Sequence, residues 1–324
     1  MGAVGGICMI CLAVVGVVPM SDPVKKHPPL TSAQREAIKE VEAHGGTVHY
    51  KPDGKPRIVE SINFRPGCTD AELTCLAPFR GYDLHSLGFL GSKTSEAGVC
   101  WAISQFPELK GFLASDMPLG DQILESLAKA TLLVDLNLSK VQVTSAGFKH
   151  IAGLKDIERL HLSDTAIDDS GVAHLEGLSK VYWLWLDNTK ITSVGMKSIG
   201  KLKNLDTLLL HNTAVTDDGL EHIRSLKKLK SLRLDGTKVT DAGLAHLSQV
   251  ATLEDLDLED TLVTDKGLVH LQNMPKLKEV RLKGSKVTDL GRDRFILYLP
   301  ANEQRFRQYR EQFDRGDWPP KRPD

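Results

Sequence analysis

From residue 133 onward the apolar positions fall on a fixed 24-residue period. Leu133, Ile157, Val181, Leu205, Leu229, Leu253 and Leu277 open successive units; Leu136, Leu160, Leu184, Leu208, Leu232, Leu256 and Val280 follow three positions on; Leu138, Leu162, Leu186, Leu210, Leu234, Leu258 and Leu282 come two later. This alternation predicts a short strand with one face buried. A β-branched column follows at Val143, Ile167, Ile191, Val215, Val239, Val263 and Val287. Leu220, Ile223 and Leu226 in one unit, or Leu268, Leu271 and Met274 in another, then recur at helical spacing. A single strand and a single short helix cannot bury their apolar faces alone, so each unit must stack on its neighbours and the columns merge into one core. The predicted class is therefore an α/β solenoid. Seven regular units at strand spacing span roughly 30 Å, wide enough for a protein partner.

Weaker turns precede the regular block. Leu109, Phe112, Ala114, Leu119, Leu124 and Leu127 fit the columns one period upstream; Leu84, Leu87, Phe89, Gly98 and Val99 fit the one before with one inserted residue; Ile62, Phe64, Cys68, Thr69, Asp70, Leu73 and Leu76 give a half-match. The reading is nine to ten turns over residues 58–300, regular from 133.

The whole unit, L-x-x-L-x-L-x-x-T-x-V-T-D-x-G-L-x-H-L-x-x-L-x-x, resembles the leucine-rich repeat in a bacterial-type form, with threonine where many members carry asparagine or cysteine. The resemblance implies a right-handed β-α superhelix bent into an arc or horseshoe. Its strands would line the concave face, and most members are protein-recognition scaffolds.

The fixed polar positions have structural readings. Thr165, Thr189, Thr213, Thr237, Thr261 and Ser285 follow the strand, where a hydroxyl can satisfy backbone groups left unpaired by the turning chain. Asp168 and Thr192, Thr216, Thr240, Thr264 and Thr288 sit where a helix needs an N-cap, and acids such as Asp217 and Asp241 suit the positive helix end. The glycines from Gly147 to Gly291 keep the same register and are expected to let backbones approach closely.

Both ends read as caps. In residues 21–57, Thr31, Ser32 and Gln34 form a capping box, Ala37, Ile38 and Val41 supply an apolar stripe, and Gly45-Gly46 stop a helix near His44. Strands at Thr47–Tyr50 and Arg57–Asn63 would be joined through Pro52-Asp53-Gly54. Residues 301–324 would supply a capping helix through Phe306, Tyr309 and Phe313, then a disordered tail around Trp318, Pro319, Pro320 and Pro323.

Basic and acidic residues nearly cancel, 41 against 42, so no global field draws in nucleic acid or an anionic membrane. Within residues 1–20 the stretch Ala3 to Val18 is apolar, with Lys25 and Lys26 after it. It reads as a signal peptide or membrane anchor, placing the protein outside the cytoplasm or on the cell envelope. An anchor with these flanks, or a start at Met20, would leave the repeats cytoplasmic. Beyond the leader only Cys68, Cys75 and Cys100 remain, an odd number that argues against a full disulfide framework. Cys68 lies on a core column as a buried thiol, with Cys68–Cys75 or Cys75–Cys100 bridges left open.

Between the strand leucines, side chains point away from the core, toward the concave surface. The first such column is Asp135, Arg159, Trp183, Thr207, Ser231, Asp255 and Glu279; the second is Asn137, His161, Trp185, Leu209, Arg233, Asp257 and Arg281; the third includes Asp187, His211, Asp235 and Glu259. Trp183, Trp185 and Leu209 thus form an apolar cluster flanked by Arg159, His161, His211 and Arg233, with an acidic patch at Asp255, Asp257 and Glu259. Exposed tryptophans bordered by arginine have the composition of a binding hot spot. The competing expectation is that the indoles lie flat on neighbouring strands and stiffen the sheet.

His150, His174, His222, His246 and His270 form a column, but no cysteine or carboxylate column completes a tetrahedral metal site; packed rings bonded to the next turn's backbone are expected. The sequence contains no G-x-S-x-G elbow, P-loop, H-E-x-x-H or strand-linked G-x-G-x-x-G, and no cofactor is expected. The reading is a noncatalytic scaffold that binds a protein on its concave sheet. The alternatives are a glycan-binding envelope protein, with sugar rings stacked on the indoles, and an F-box-type substrate receptor, although no F-box-like helical module precedes the repeats.

Overall fold

The computed structural model describes residues 29–51 and 59–296. The apolar leader, the Pro52-Asp53-Gly54 turn, the aromatic segment Phe306–Phe313 and the terminal prolines lie outside the described residues. One sheet runs through the molecule in strict chain order: β1 Thr47–Tyr50, β2 Val59–Phe64, β3 Ser86–Leu90, β4 Gly111–Ser115, β5 Asp135–Asn137, β6 Arg159–His161, β7 Trp183–Trp185, β8 Thr207–Leu209, β9 Ser231–Arg233, β10 Asp255–Asp257 and β11 Glu279–Arg281. Only the β1–β2 pair is antiparallel; β2 to β11 are parallel. Register follows the sequence period, with Leu184 opposite Leu208 and Leu208 opposite Leu232.

Behind the sheet lie α1 Ser32–Ala43, α2 Glu96–Gln105, α3 Gln122–Leu127, α4 Asp169–Ala173, α5 Met196–Ile199, α6 Asp217–Ile223, α7 Asp241–Leu247 and α8 Asp289–Ile296, with 3₁₀ turns at Asp70–Phe79, Gly147–His150 and Gly267–His270. The leucine columns form the core between the layers, and most of their side chains are fully buried from Leu133 to Leu277. Among the described residues no helix is long and apolar enough to cross a membrane.

Helix α1 opens on the reciprocal capping box read from the sequence: Thr31 Oγ1 accepts from the Gln34 N–H at 3.1 Å, and Gln34 Oε1 accepts from the Thr31 N–H at 3.0 Å. It stops at Ala43, and Gly45 turns the chain with φ +77°. It packs against the first 3₁₀ turn and β1. Cys68, Cys75 and Cys100 are free thiols; burial pushes the Cys75 thiol up to about 12.

The threonine column behaves as expected. Thr165, Thr189, Thr213, Thr237 and Thr261 each donate their hydroxyl to the carbonyl three residues back, at 2.5–2.7 Å. Immediately before it runs a column of left-handed residues: Asp116, Lys140, Asp164, Asn188, Asn212 and Asp260, with Gly236 and Gly284 in the same place. Side chains link this column across turns, from the Asn188 amide to Asp164 at 2.9 Å and from the Asn212 amide to Asn188 at 3.1 Å.

The acids at the helix starts do more than complement the helix dipole. Asp217 reaches into the next turn, accepting the Thr240 N–H at 2.8 Å and the Thr240 hydroxyl at 2.6 Å. The same tie joins Asp70 to Ser95, Asp121 to Thr144, Asp169 to Thr192, Asp241 to Thr264 and Asp265 to Thr288. Glu96, Ser145 and Ser193 fill the intervening turns by accepting from the N–H of Gly120, Asp168 and Thr216. The glycine column serves two purposes: at Gly171 and Gly219 a Cβ would crowd the backbone of Ser145 or Ser193 in the neighbouring turn, as expected, whereas on Gly243 or Gly267 it would strike the carboxylate of Asp217 or Asp241, so these glycines make room for the acid. Asp217→Ala strands the Thr240 N–H and is expected to cost about 1–2 kcal/mol. Urea unfolding followed by circular dichroism checks this, and an unchanged midpoint contradicts the tie.

Candidate functional site

Strand alternation puts Trp183 and Trp185 on the sheet face opposite the helices, with Leu184 between them fully buried in the core. Both indoles are half-buried. Trp183 meets Tyr182 edge-on at 5.6 Å between ring centroids, and Trp185 stacks on His161 of the preceding strand at 4.0 Å with planes 25° apart.

That stacking changes the picture at several positions read from the sequence. His161 is only 2% exposed, and burial pushes its pKa down to about 4. Its Nε2 and the Trp185 Nε1 are buried with no hydrogen-bond partner among the described residues. Arg159 is 8% exposed: its Nε and Nη2 donate to Asp135 at 3.1 and 3.0 Å, and its Nη1 donates to the Tyr182 hydroxyl at 3.0 Å. Leu209 is likewise nearly covered. Arg159 and His161 flank the tryptophans on the neighbouring strand, as expected, but both are buried there rather than presented to a partner. His161 is covered by the Trp185 indole stacked on it, and Arg159, opposite Trp183 on the neighbouring strand, is held by Asp135 and Tyr182.

Toward the C-terminal strands the face becomes an ion-pair network. Arg233 reaches Asp235 at 3.2 Å and Asp257 at 3.6 Å, His211 pairs with Asp235, and Arg281 donates to Asp257 at 3.0 Å and to Glu279 at 2.9 Å. Asp257 is buried between its two arginines, which removes it from the expected acidic patch. Asp255 and Glu259 remain partly open, and burial pushes the Asp255 carboxyl up, with Glu279 adding to the effect. Asp187 accepts the His211 N–H at 2.9 Å, and burial raises its carboxyl as well.

The histidine column differs from its expected packing. His150, His222 and His246 are half-buried and His174 and His270 exposed, and none shows a ring hydrogen bond among the described residues. Nor is any group of three His, Cys, Asp or Glu among the described residues arranged to hold a metal. What the sheet face offers is a pair of half-buried aromatic surfaces, Trp185 stacked on His161, bordered by an ion-paired polar network.

A parallel sheet in strict chain order, with a helical layer behind it and a shared leucine core, is the leucine-rich-repeat fold, and this chain has that fold. Among solved structures it is similar to internalin C2 of Listeria monocytogenes, at 24% identity and a TM-score of 0.50, covering 81% of this chain and 100% of that one. A plant ice-binding protein aligns at 13% identity and a TM-score of 0.49, covering 80% of this chain and 88% of that one. A leucine-rich-repeat protein of Leptospira interrogans aligns at 15% identity and a TM-score of 0.46, covering 75% and 74%. No protein-family model matches the chain, and no curated protein matches it significantly in sequence.

Proposed function

We propose that this protein is a noncatalytic interaction scaffold whose protein partner docks on the open face of the sheet, over Trp183 and Trp185. The observation that carries this reading is the pair of half-buried indoles on the open face, Trp185 stacked on His161 and Trp183 beside an Arg159 held by Asp135 and Tyr182. A rigid aromatic anchor loses little conformational entropy on binding, which is why such residues dominate interface energetics. His161 supports Trp185 by stacking on it, and Arg159 and Leu209 stand beside the indoles on the flanking strands. Thr207, Ser231, Arg233, His211 and Asp255 surround it as a polar rim, and Asp257 holds the arginines of that rim in place. The apolar stretch Ala3 to Val18 supports placing the scaffold outside the cytoplasm or on the envelope, which N-terminal sequencing of native material checks.

Trp183→Ala/Trp185→Ala leaves the leucine core untouched. The double variant is expected to keep its far-ultraviolet circular dichroism while losing on the order of hundredfold in partner affinity. Unchanged affinity in a folded double variant rules the anchor out.

A further inference from the structure

Resting on the protein-binding reading of the sheet face, a second feature says what the partner carries. Where each helix returns to the next strand, a groove of about 580 Å³ runs across several turns, lined by Lys180, Lys227, Lys228, Lys230 and Lys276 against only two carboxylates, Glu158 and Asp206. Lys180, Lys228 and Lys276 hold the same place in every second turn, which sets them about 10 Å apart. Lys230 is satisfied by Asp206, and Lys180 by Asp156, each at 2.6 Å. Lys228 has only the neutral amide oxygen of Asn204, Lys227 and Lys276 make no direct ion pair among the described residues, and Glu254, which lies near Lys276, is itself paired with Lys278. The groove thus carries surplus positive charge on a chain that is close to neutral overall.

The groove meets the indole anchor at Tyr182. This residue lines the groove, stands edge-on to Trp183 and binds Arg159. We infer that the lysine groove receives an acidic polypeptide segment of the same partner that covers Trp183 and Trp185. A protein's carboxylates fit this lining better than a densely charged polymer does, for two reasons. The lysines are interrupted by Glu158 and Asp206, whereas nucleic acid and polysulfated chains call for an unbroken basic track. The Tyr182 hydroxyl, which accepts from Arg159 and keeps its own proton to donate, also stands among the lysines, suited to a peptide carbonyl.

The test uses the full chain and a fluorescent decaglutamate peptide, followed by anisotropy at low salt, with a heparin oligosaccharide and a single-stranded oligonucleotide in parallel. The peptide is expected to bind, to weaken as salt rises, and to lose roughly tenfold or more in affinity in Lys227→Glu/Lys228→Glu/Lys276→Glu. These three lysines are exposed, so the triple variant keeps the core intact, and thermal unfolding verifies that. Trp183→Ala/Trp185→Ala is expected to bind the peptide as the wild type does. No peptide binding, unchanged affinity in the triple variant, or tighter lysine-dependent binding of heparin or the oligonucleotide overturns the groove assignment. Each of these leaves the sheet-face reading standing, since that fails only when the tryptophan variant captures the partner undiminished.

Discussion

Leu208→Ala is expected to destabilise the protein by about 2–5 kcal/mol, the largest effect of any single truncation considered. Leu208 is fully buried at the middle of the sheet, between Leu184 and Leu232 on the flanking strands. Truncation removes its transfer energy and leaves a void. The surrounding turns cannot close on that void, because the strand ladder and the acid–hydroxyl ties on the helix side fix their separation. In a stacked array each turn leans only on its neighbours, so damage at a central interface weakens both halves. Urea unfolding of Leu208→Ala beside Val194→Ala makes the comparison. Val194 is 73% exposed, and its truncation is expected to change stability by less than about 0.5 kcal/mol. A loss below about 1 kcal/mol at Leu208 would contradict a shared, tightly packed spine.

The second large effect is a dependence on pH set by His161. Burial under Trp185 holds its folded pKa at about 4, with Asp135 raising and Arg159 lowering it by smaller amounts, against an ordinary value of 6.5. Between those values the unfolded chain holds a proton that the folded protein refuses. Stability is therefore complete above pH 6.5, falls as the pH drops through the window, and is fully reduced below about pH 4. At about 1.4 kcal/mol per pH unit the loss approaches about 3 kcal/mol. His85, lowered by burial, acts with the same sign, whereas burial-raised Asp187 and Asp255 act oppositely. Asp168, held down to about 2 by its bonds to Ser145 and Ser170, adds stability that is complete above pH 3.8 and is lost only as the pH falls from there toward about 2, below the His161 window. The comparison that isolates His161 is with His161→Phe, which keeps a ring beneath the indole and removes the proton site. The stability difference between the two proteins is expected to shift by most of that amount between pH 7 and pH 4.5. A constant difference across that range removes the assignment.

The features legible in the sequence are those that repeat. A leucine every 24 residues fixes which side chains are buried and which strands are neighbours, and Leu184, Leu208 and Leu232 lie in the register that spacing requires. The threonine column and the Asp168 N-cap were readable for the same reason, since each acts within its own turn. The acid–hydroxyl ties were harder to see, although Asp217 and Thr240 recur at fixed separation, because the bond lies between turns. The signal was the glycine three residues after each hydroxyl: Gly243 leaves space for an acid, a feature that a helix-dipole argument does not require. The left-handed column went unread, although Asp, Asn or Gly stands ahead of Thr165, Thr189, Thr213, Thr237, Thr261 and Ser285. Burial of Arg159, His161 and Asp257 was not readable. It depends on two indoles and two arginines found at single places, and a period carries no information about what is not repeated.

The central claim, that a partner covers the open sheet face at the tryptophans, is tested most directly by site-specific photo-cross-linking. A photoreactive residue at Thr207, beside Trp183 on the next strand, samples that face; one at Lys197, exposed on the helical side, serves as the reference. A cross-linked partner is expected from position 207, absent from position 197, and lost when Trp183→Ala/Trp185→Ala is added. Products arising from position 197 alone, or persisting undiminished from position 207 without the two indoles, would contradict it.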